Sequence, residues 1–283
     1  MSDQPSALTP GTQESPVFIK YHGSVIGFDH HAKGVNNQEA VGVRLAGDYM
    51  IALLAGGVER EDGGPVHNEL GSRLAVNIGM GPFEHMITHY GHVTLDGVLR
   101  EIANRLLDVL KPMLPSGATK RETSEFLETH FGVTLTGAVV GPTQSTIFHY
   151  GSGVYATDSH VCRGNVRRVI GENAQSRPHR LSDVMWELMA RGWTDATFRI
   201  HCCDNDDIES LLVGTQGMMR FFERCAQVRN NDPLGELFYH LSHHGDGGSG
   251  TLHWMNFDSS TQPPTTKARF KNDATFFAIR KNR

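Results

Sequence analysis

The sequence predicts an α+β fold. Three observations carry the prediction. Apolar segments of strand length recur along the chain, amphipathic helix pairs interrupt them, and neither a regular strand–helix–strand cycle nor an internal repeat is visible. A doubly wound parallel sheet would need that cycle. With 283 residues, 39% of them hydrophobic and 20% charged, the chain can bury a large core. It reads as a flexible polar leader over residues 1–16 and one domain over residues 17–283.

VFIKYHGSVIGFDHH is strand material ending near Asp29. EAVGVRLAGDYMIALLAGG reads as two strands joined at Ala46-Gly47-Asp48, a glycine-containing hairpin turn. Val41, Val43 and Leu45 alternate as in a half-buried strand, whereas Met50 to Leu54 is continuously apolar and expected to lie deeper. Leu70, Leu74, Ala75 and Ile78 share one helical face. Leu99, Ile102, Ala103, Leu106, Leu110 and Met113 define a second helix that Pro115 ends. Thr119 and Glu122 have the spacing of a capping box, which starts a third. VTLTGAVVG, STIFHYGSG and VYATDSHV return to strands, divided by turns at Gly141-Pro142 and Gly151-Ser152-Gly153. A helical stretch around Ser182 to Ala190 precedes the strands FRIHCC and ESLLVGTQG. Met218 to Val228 and Pro233 to His243 read as helices, residues 245–270 as a long loop or insert, and DATFFAIRK as the last strand.

Composition excludes several classes of function. The net charge is −5 and no Lys/Arg-dense stretch occurs, which argues against nucleic acid or an anionic membrane as partner. No apolar run approaches the roughly 18 residues that span a bilayer, and the N-terminus lacks a secretory apolar region, so a cytoplasmic protein is expected. Cys162, Cys202, Cys203 and Cys225 show no C-x-x-C spacing and are read as reduced thiols. Cys202 and Cys203 are expected to be buried on their strand, and no C-x₅-R phosphatase loop follows them.

Three strand ends deliver small or polar groups: Ala55-Gly56-Gly57, Gly214-Thr215-Gln216-Gly217 and Asn272-Asp273-Ala274-Thr275. Asn36-Asn37-Gln38-Glu39 adds a fourth cluster. With GFDHHAKGVNNQEAVGVR, YMIALLAGG, VTLTGAVVG, HYGSGVYAT, ESLLVGTQGM and NDATFFAIR in this order over residues 24–281, the chain resembles the bacterial branch of the metal-dependent type 2C protein phosphatases. The resemblance implies a four-layer α/β/β/α sandwich, two antiparallel sheets face to face with helices outside. In that family two divalent cations, Mg²⁺ or Mn²⁺, sit between the sheets on carboxylates and water, and a bridging water attacks the phosphoryl group.

The resemblance also implies that this chemistry is lost. The family's Ala-Asp-Gly, whose aspartate bridges the metals and whose glycine carbonyl is a ligand, is Ala55-Gly56-Gly57 here. The Thr-Asp-Gly aspartate is Gln216, and the first aspartate of the closing Asp-(Asp/Asn)-x-Thr motif is Asn272. The early Asn-Gln-Asp is Asn37-Gln38-Glu39, and the family's Gly-Asp-(Gly/Ser) turn is Gly151-Ser152-Gly153. Two such cations bring four positive charges, and Glu39 is the one family-position carboxylate left to meet them. A pseudophosphatase with no catalytic residue and no bound metal is therefore expected, acting on a protein partner such as a kinase or a phosphoprotein. The resemblance suggests such partners because branch members are often encoded with a kinase.

Two alternatives remain open. A weak or shifted Mg²⁺ or Mn²⁺ site could use Glu39, Gly57 and Asp273, aided by Glu59, Glu61, Asp62, Asp204, Asp206 and Asp207. These acids otherwise read as solvated loop residues, and strand alternation sends Asp273 away from the face of Asn272. His240, His243 and His244, at i, i+3 and i+4 of a helix, offer imidazoles for Zn²⁺, against the plainer reading of a polar helix end. Asp29-His30-His31 forms a second histidine cluster; His30 matches a histidine common in this branch, with either a structural or a catalytic role.

Overall fold

The computed structural model describes residues 18–58, 66–91, 94–95, 97–114, 116–158, 179–219, 233–244, 247–253, 270 and 272–282. The polar leader, Glu59, Glu61, Asp62, Pro115, Cys162, Cys225 and most of the expected helix from Met218 to Val228 lie outside the described residues.

Among the described residues nine strands form two antiparallel sheets. One has β1 (Phe18–Val25), β9 (Ala274–Lys281), β8 (Ser210–Gly214) and β6 (Val154–Asp158) in that order. The other has β2 (Glu39–Ala46), β3 (Tyr49–Gly57), β4 (Val133–Val140), β5 (Gln144–Tyr150) and β7 (Arg199–Asp204). Helices α2 (Asn68–Tyr90), α3 (Val98–Leu110), α4 (Lys120–Phe131) and α5 (Leu181–Arg191) cover the outer face of the five-stranded sheet. Helices α6 (Pro233–His244) and α7 (Gly247–His253) cover the four-stranded one. The expected α/β/β/α sandwich is the observed architecture.

Three apolar clusters fill the three spaces between layers, and β3 shows how the sequence divides between them. Ile51, Leu53 and Ala55 join the cluster under α2 and α3, while Ala52 and Leu54 join the cluster between the sheets. A strand buried on both faces needs apolar residues at every position, hence the unbroken run. Alternation then sends Gly56 toward the other sheet and Gly57 toward α2. The β2–β3 hairpin closes on Gly47, whose φ of +55° suits a two-residue turn. The predicted capping box is present: Glu122 N–H donates to Thr119 Oγ1, and Thr119 N–H donates to the Glu122 carboxylate.

Four expectations are corrected. The segment after β1 is helical, with α1 spanning Phe28–Ala32, rather than strand up to Asp29. On α2, Leu70 is exposed and the buried side runs through Gly71, Ala75, Gly79 and Phe83. The sheet and α4 approach the helix so closely that a Cβ at Gly71 would run into the His130 carbonyl, and one at Gly79 into Leu53. Cys202 is exposed and Cys203 half-buried, because β7 is an edge strand with water along it. Within 245–270, residues 247–253 form α7 against β1, where Gly248 meets the backbone at His22 and Gly23. Among the described residues no helix is long and apolar enough to cross a membrane.

Candidate functional site

The four polar strand ends converge at one end of the space between the sheets. Glu39 opens β2 and lies directly across from Gly56 of β3. Its carboxylate turns inward, buried, and Oε2 accepts the hydroxyl of Thr215, the residue that follows β8 (2.7 Å). Thr215 is fixed in turn by β9: its N–H donates to the Thr275 carbonyl (3.0 Å) and its Oγ1 accepts the Thr275 N–H (3.1 Å). A hydroxyl chain continues outward, with Thr275 Oγ1 and Ser24 Oγ 2.6 Å apart and Asn37 Nδ2 donating to Ser24 (2.8 Å). Burial holds the Glu39 carboxyl well above the ordinary carboxylate range; the Thr215 bond partly opposes this, and the nearby charge of Asp273 adds to it.

The glycine pair of β3 divides its roles as alternation requires. A Cβ on Gly56 would come within 3.2 Å of Thr215 Cγ2 and 3.5 Å of Glu39 Oε1, so any side chain there points at the Glu39–Thr215 pair. One on Gly57 would instead meet Asn68 and Gln38. The Gly57 N–H donates to the Gln38 carbonyl (3.1 Å), which also accepts the Ser72 hydroxyl (2.6 Å).

Asp273 overturns the solvated reading given to it. It is 2% exposed, and Asn272 is the exposed member of the pair. The alternation argument separated the two residues as expected, but Asp273 has the inward parity, shared with Thr275. Its Oδ1 accepts the Gly27 N–H (2.7 Å) and lies 2.9 Å from His30 Nδ1; its Oδ2 accepts the Gln38 N–H (2.6 Å). The arrangement also gives His30 a place: it ties the short helix after β1 to the start of β9. Gln216 is exposed, and its Oε1 accepts the Ser152 hydroxyl (3.1 Å), joining the Gly151-Ser152-Gly153 turn to the turn after β8.

Asp204, Asp206 and Asp207 are exposed at the far end of β7, as the loop reading expected. On α6, His240 packs edge-on against Tyr239 with ring centroids 5.5 Å apart, and the side chains of His243 and His244 lie outside the described residues. Among the described residues no group of three or more His, Cys, Asp or Glu is arranged to hold a metal ion. Sequence reasoning missed Thr215 as a member of the site and undervalued Asp273. The only signal for Thr215 was its place beside Gln216 in a glycine-flanked turn.

Chemically the site is a closed polar cluster. The described contacts give both Asp273 oxygens and one Glu39 oxygen to donors of the chain itself.

No protein-family model and no curated protein sequence matches the chain. Solved structures do. A bacterial serine phosphatase carrying a point mutation is similar over 94% of this chain and 100% of its own, with a TM-score of 0.54 at 12% identity. A second point variant of a bacterial serine phosphatase gives 0.51 at 13% identity, over 96% and 100%. The serine/threonine phosphatase Stp1 from Staphylococcus aureus gives 0.50 at 12% identity, over 99% and 100%. At such identities the likeness is one of architecture, and the chain has the two-sheet fold of the bacterial type 2C serine phosphatases.

Proposed function

We propose that this chain is a pseudophosphatase: a type 2C phosphatase scaffold that no longer holds the metal pair and acts by binding a protein partner in phospho-signalling. The observation that carries the reading is the engagement of its two inward carboxylates. Hard divalent cations need several oxygen ligands and carboxylate charge to offset their dehydration. Here Asp273 accepts two backbone amides and has the His30 imidazole 2.9 Å from its Oδ1. Glu39 is buried beside Thr215, with its carboxyl pushed toward the neutral form. Gly56 presents no side chain where one would aim at that pair, and Gln216 and Asn272, both exposed, are uncharged. These residues do not fit a two-cation centre. The class of partner in this reading is a kinase or a phosphoprotein.

The test is a calorimetric Mn²⁺ titration alongside phosphopeptide hydrolysis. No saturable Mn²⁺ binding and no Mn²⁺-dependent turnover are expected. Turnover that disappears in Glu39→Ala would establish the competing reading, a phosphatase with a shifted metal site.

A further inference from the structure

Glu39 and Asp273 belong to different sheets, and each accepts one hydrogen bond from the sheet opposite. Glu39, the first residue of β2 in the five-stranded sheet, accepts the hydroxyl of Thr215 at the end of β8 in the four-stranded sheet. Asp273, immediately before β9 in the four-stranded sheet, accepts the amide of Gln38, immediately before β2. The two ends of this exchange are coupled. Thr215 is bonded to Thr275, two residues along from Asp273, and the turn after β8 packs so tightly on Asp273 that a Cβ at Gly217 would collide with its carbonyl. Glu39 and Gln38 are consecutive, and the Gln38 carbonyl is itself held by Gly57 and Ser72.

We propose that this reciprocal exchange is a metal-free cross-brace that locks the two sheets together at the site end. Asp273 is its principal member, a built-in anion seated in a nest formed by the amides of Gly27 and Gln38 and the imidazole of His30. The inference rests on the reading that no cation pair is held here. Its reasoning is physical: hydrogen bonds from backbone amides to a buried carboxylate are short and directional, and leaving buried amides without an acceptor is penalised. The nest draws on two separate segments, α1 with its N-cap Gly27 and the start of β2. The carboxylate therefore fixes where Glu39 and Thr215 meet, as a bridging cation would, but with a group the chain carries itself.

Asp273→Gly removes the carboxylate and leaves a pocket of its size. In chelator-treated protein, the loss of these bonds is expected to lower the thermal midpoint by about 5–10 °C. Excess sodium formate, which supplies a free carboxylate, should restore much of the loss, while sodium chloride at the same concentration should not. Asp273→Asn should fail to substitute, because its amide group places a donor against a donor. A second measurement needs no variant: in the unaltered chain with chelator, the Gly27 and Gln38 amides should exchange hydrogen as slowly as those of β3. An unchanged midpoint in Asp273→Gly, no response to formate, or fast exchange at both amides would each overturn the brace. With chelator present throughout, these outcomes are separate from the Mn²⁺ titration, which tests the metal-free reading by itself.

Discussion

The space between the two sheets has two characters. In the middle, Ala52, Leu54, Ala138, Ile147, Leu211, Val213 and Phe277 interlock as a fully buried apolar layer. At the end beside Gly56, the same two sheets face each other through Glu39, Thr215, Thr275 and Asp273. The apolar part supplies free energy roughly in proportion to area and tolerates small shifts. The polar part adds little net stability per bond but fixes geometry, because each buried polar group penalises any arrangement that leaves it unpaired. A single interior thus separates holding the sheets together from orienting them.

The largest effect should come from the middle. Phe277→Ala removes a fully buried ring and is expected to lower unfolding free energy by about 3–5 kcal/mol, with the pH dependence of stability unchanged. Denaturant melts at two pH values would check both halves of that statement. At the polar end a smaller and different effect is expected. Because the Glu39 carboxyl is raised in the fold, its contribution is fully present below the ordinary carboxylate range and is lost as pH rises through the raised value. Glu39→Gln keeps an acceptor for Thr215 and cannot ionise. Its denaturant midpoint should therefore vary less than that of the unaltered chain between acidic and mildly alkaline buffer, and an unaltered pH profile would contradict the assignment. The smallest effect belongs outside both regions. The half-exposed Arg44–Glu84 pair, 2.6 Å apart on the surface, should contribute no more than about 0.5 kcal/mol, as Glu84→Ala would reveal.

Much of the fold was legible because period and length carry it. The continuously apolar run from Met50 to Leu54 marked a deeply buried strand, and Thr119 with Glu122 marked a helix start that the structure reproduces. On α2 the sequence misled, since large side chains were taken to face the core while close packing placed glycines there and left Leu70 in water. The same limit explains Cys202: an apolar-looking strand does not reveal whether it sits at a sheet edge. Gly56 and Glu39 were found because motifs name them, and the pairing of the two strands places them opposite each other. Asp273 was undervalued because a lone acid before a strand has no spacing to interpret. Its role comes from Gly27 and Gln38, which lie 246 and 235 residues away in the chain.

That separation also bears on time. β1 pairs in full register with β9, from Phe18 opposite Lys281 to Val25 opposite Ala274. The five-stranded sheet is closed by residues up to 204, and its strands β2, β3, β4 and β5 pair in chain order. Pairings between remote segments form slowly, because the loop they close must be ordered first. During synthesis one sheet can be complete while the strand at Phe18–Val25 still waits for the residues that will become its neighbour. The Asp273 nest is then assembled last, when β9 arrives.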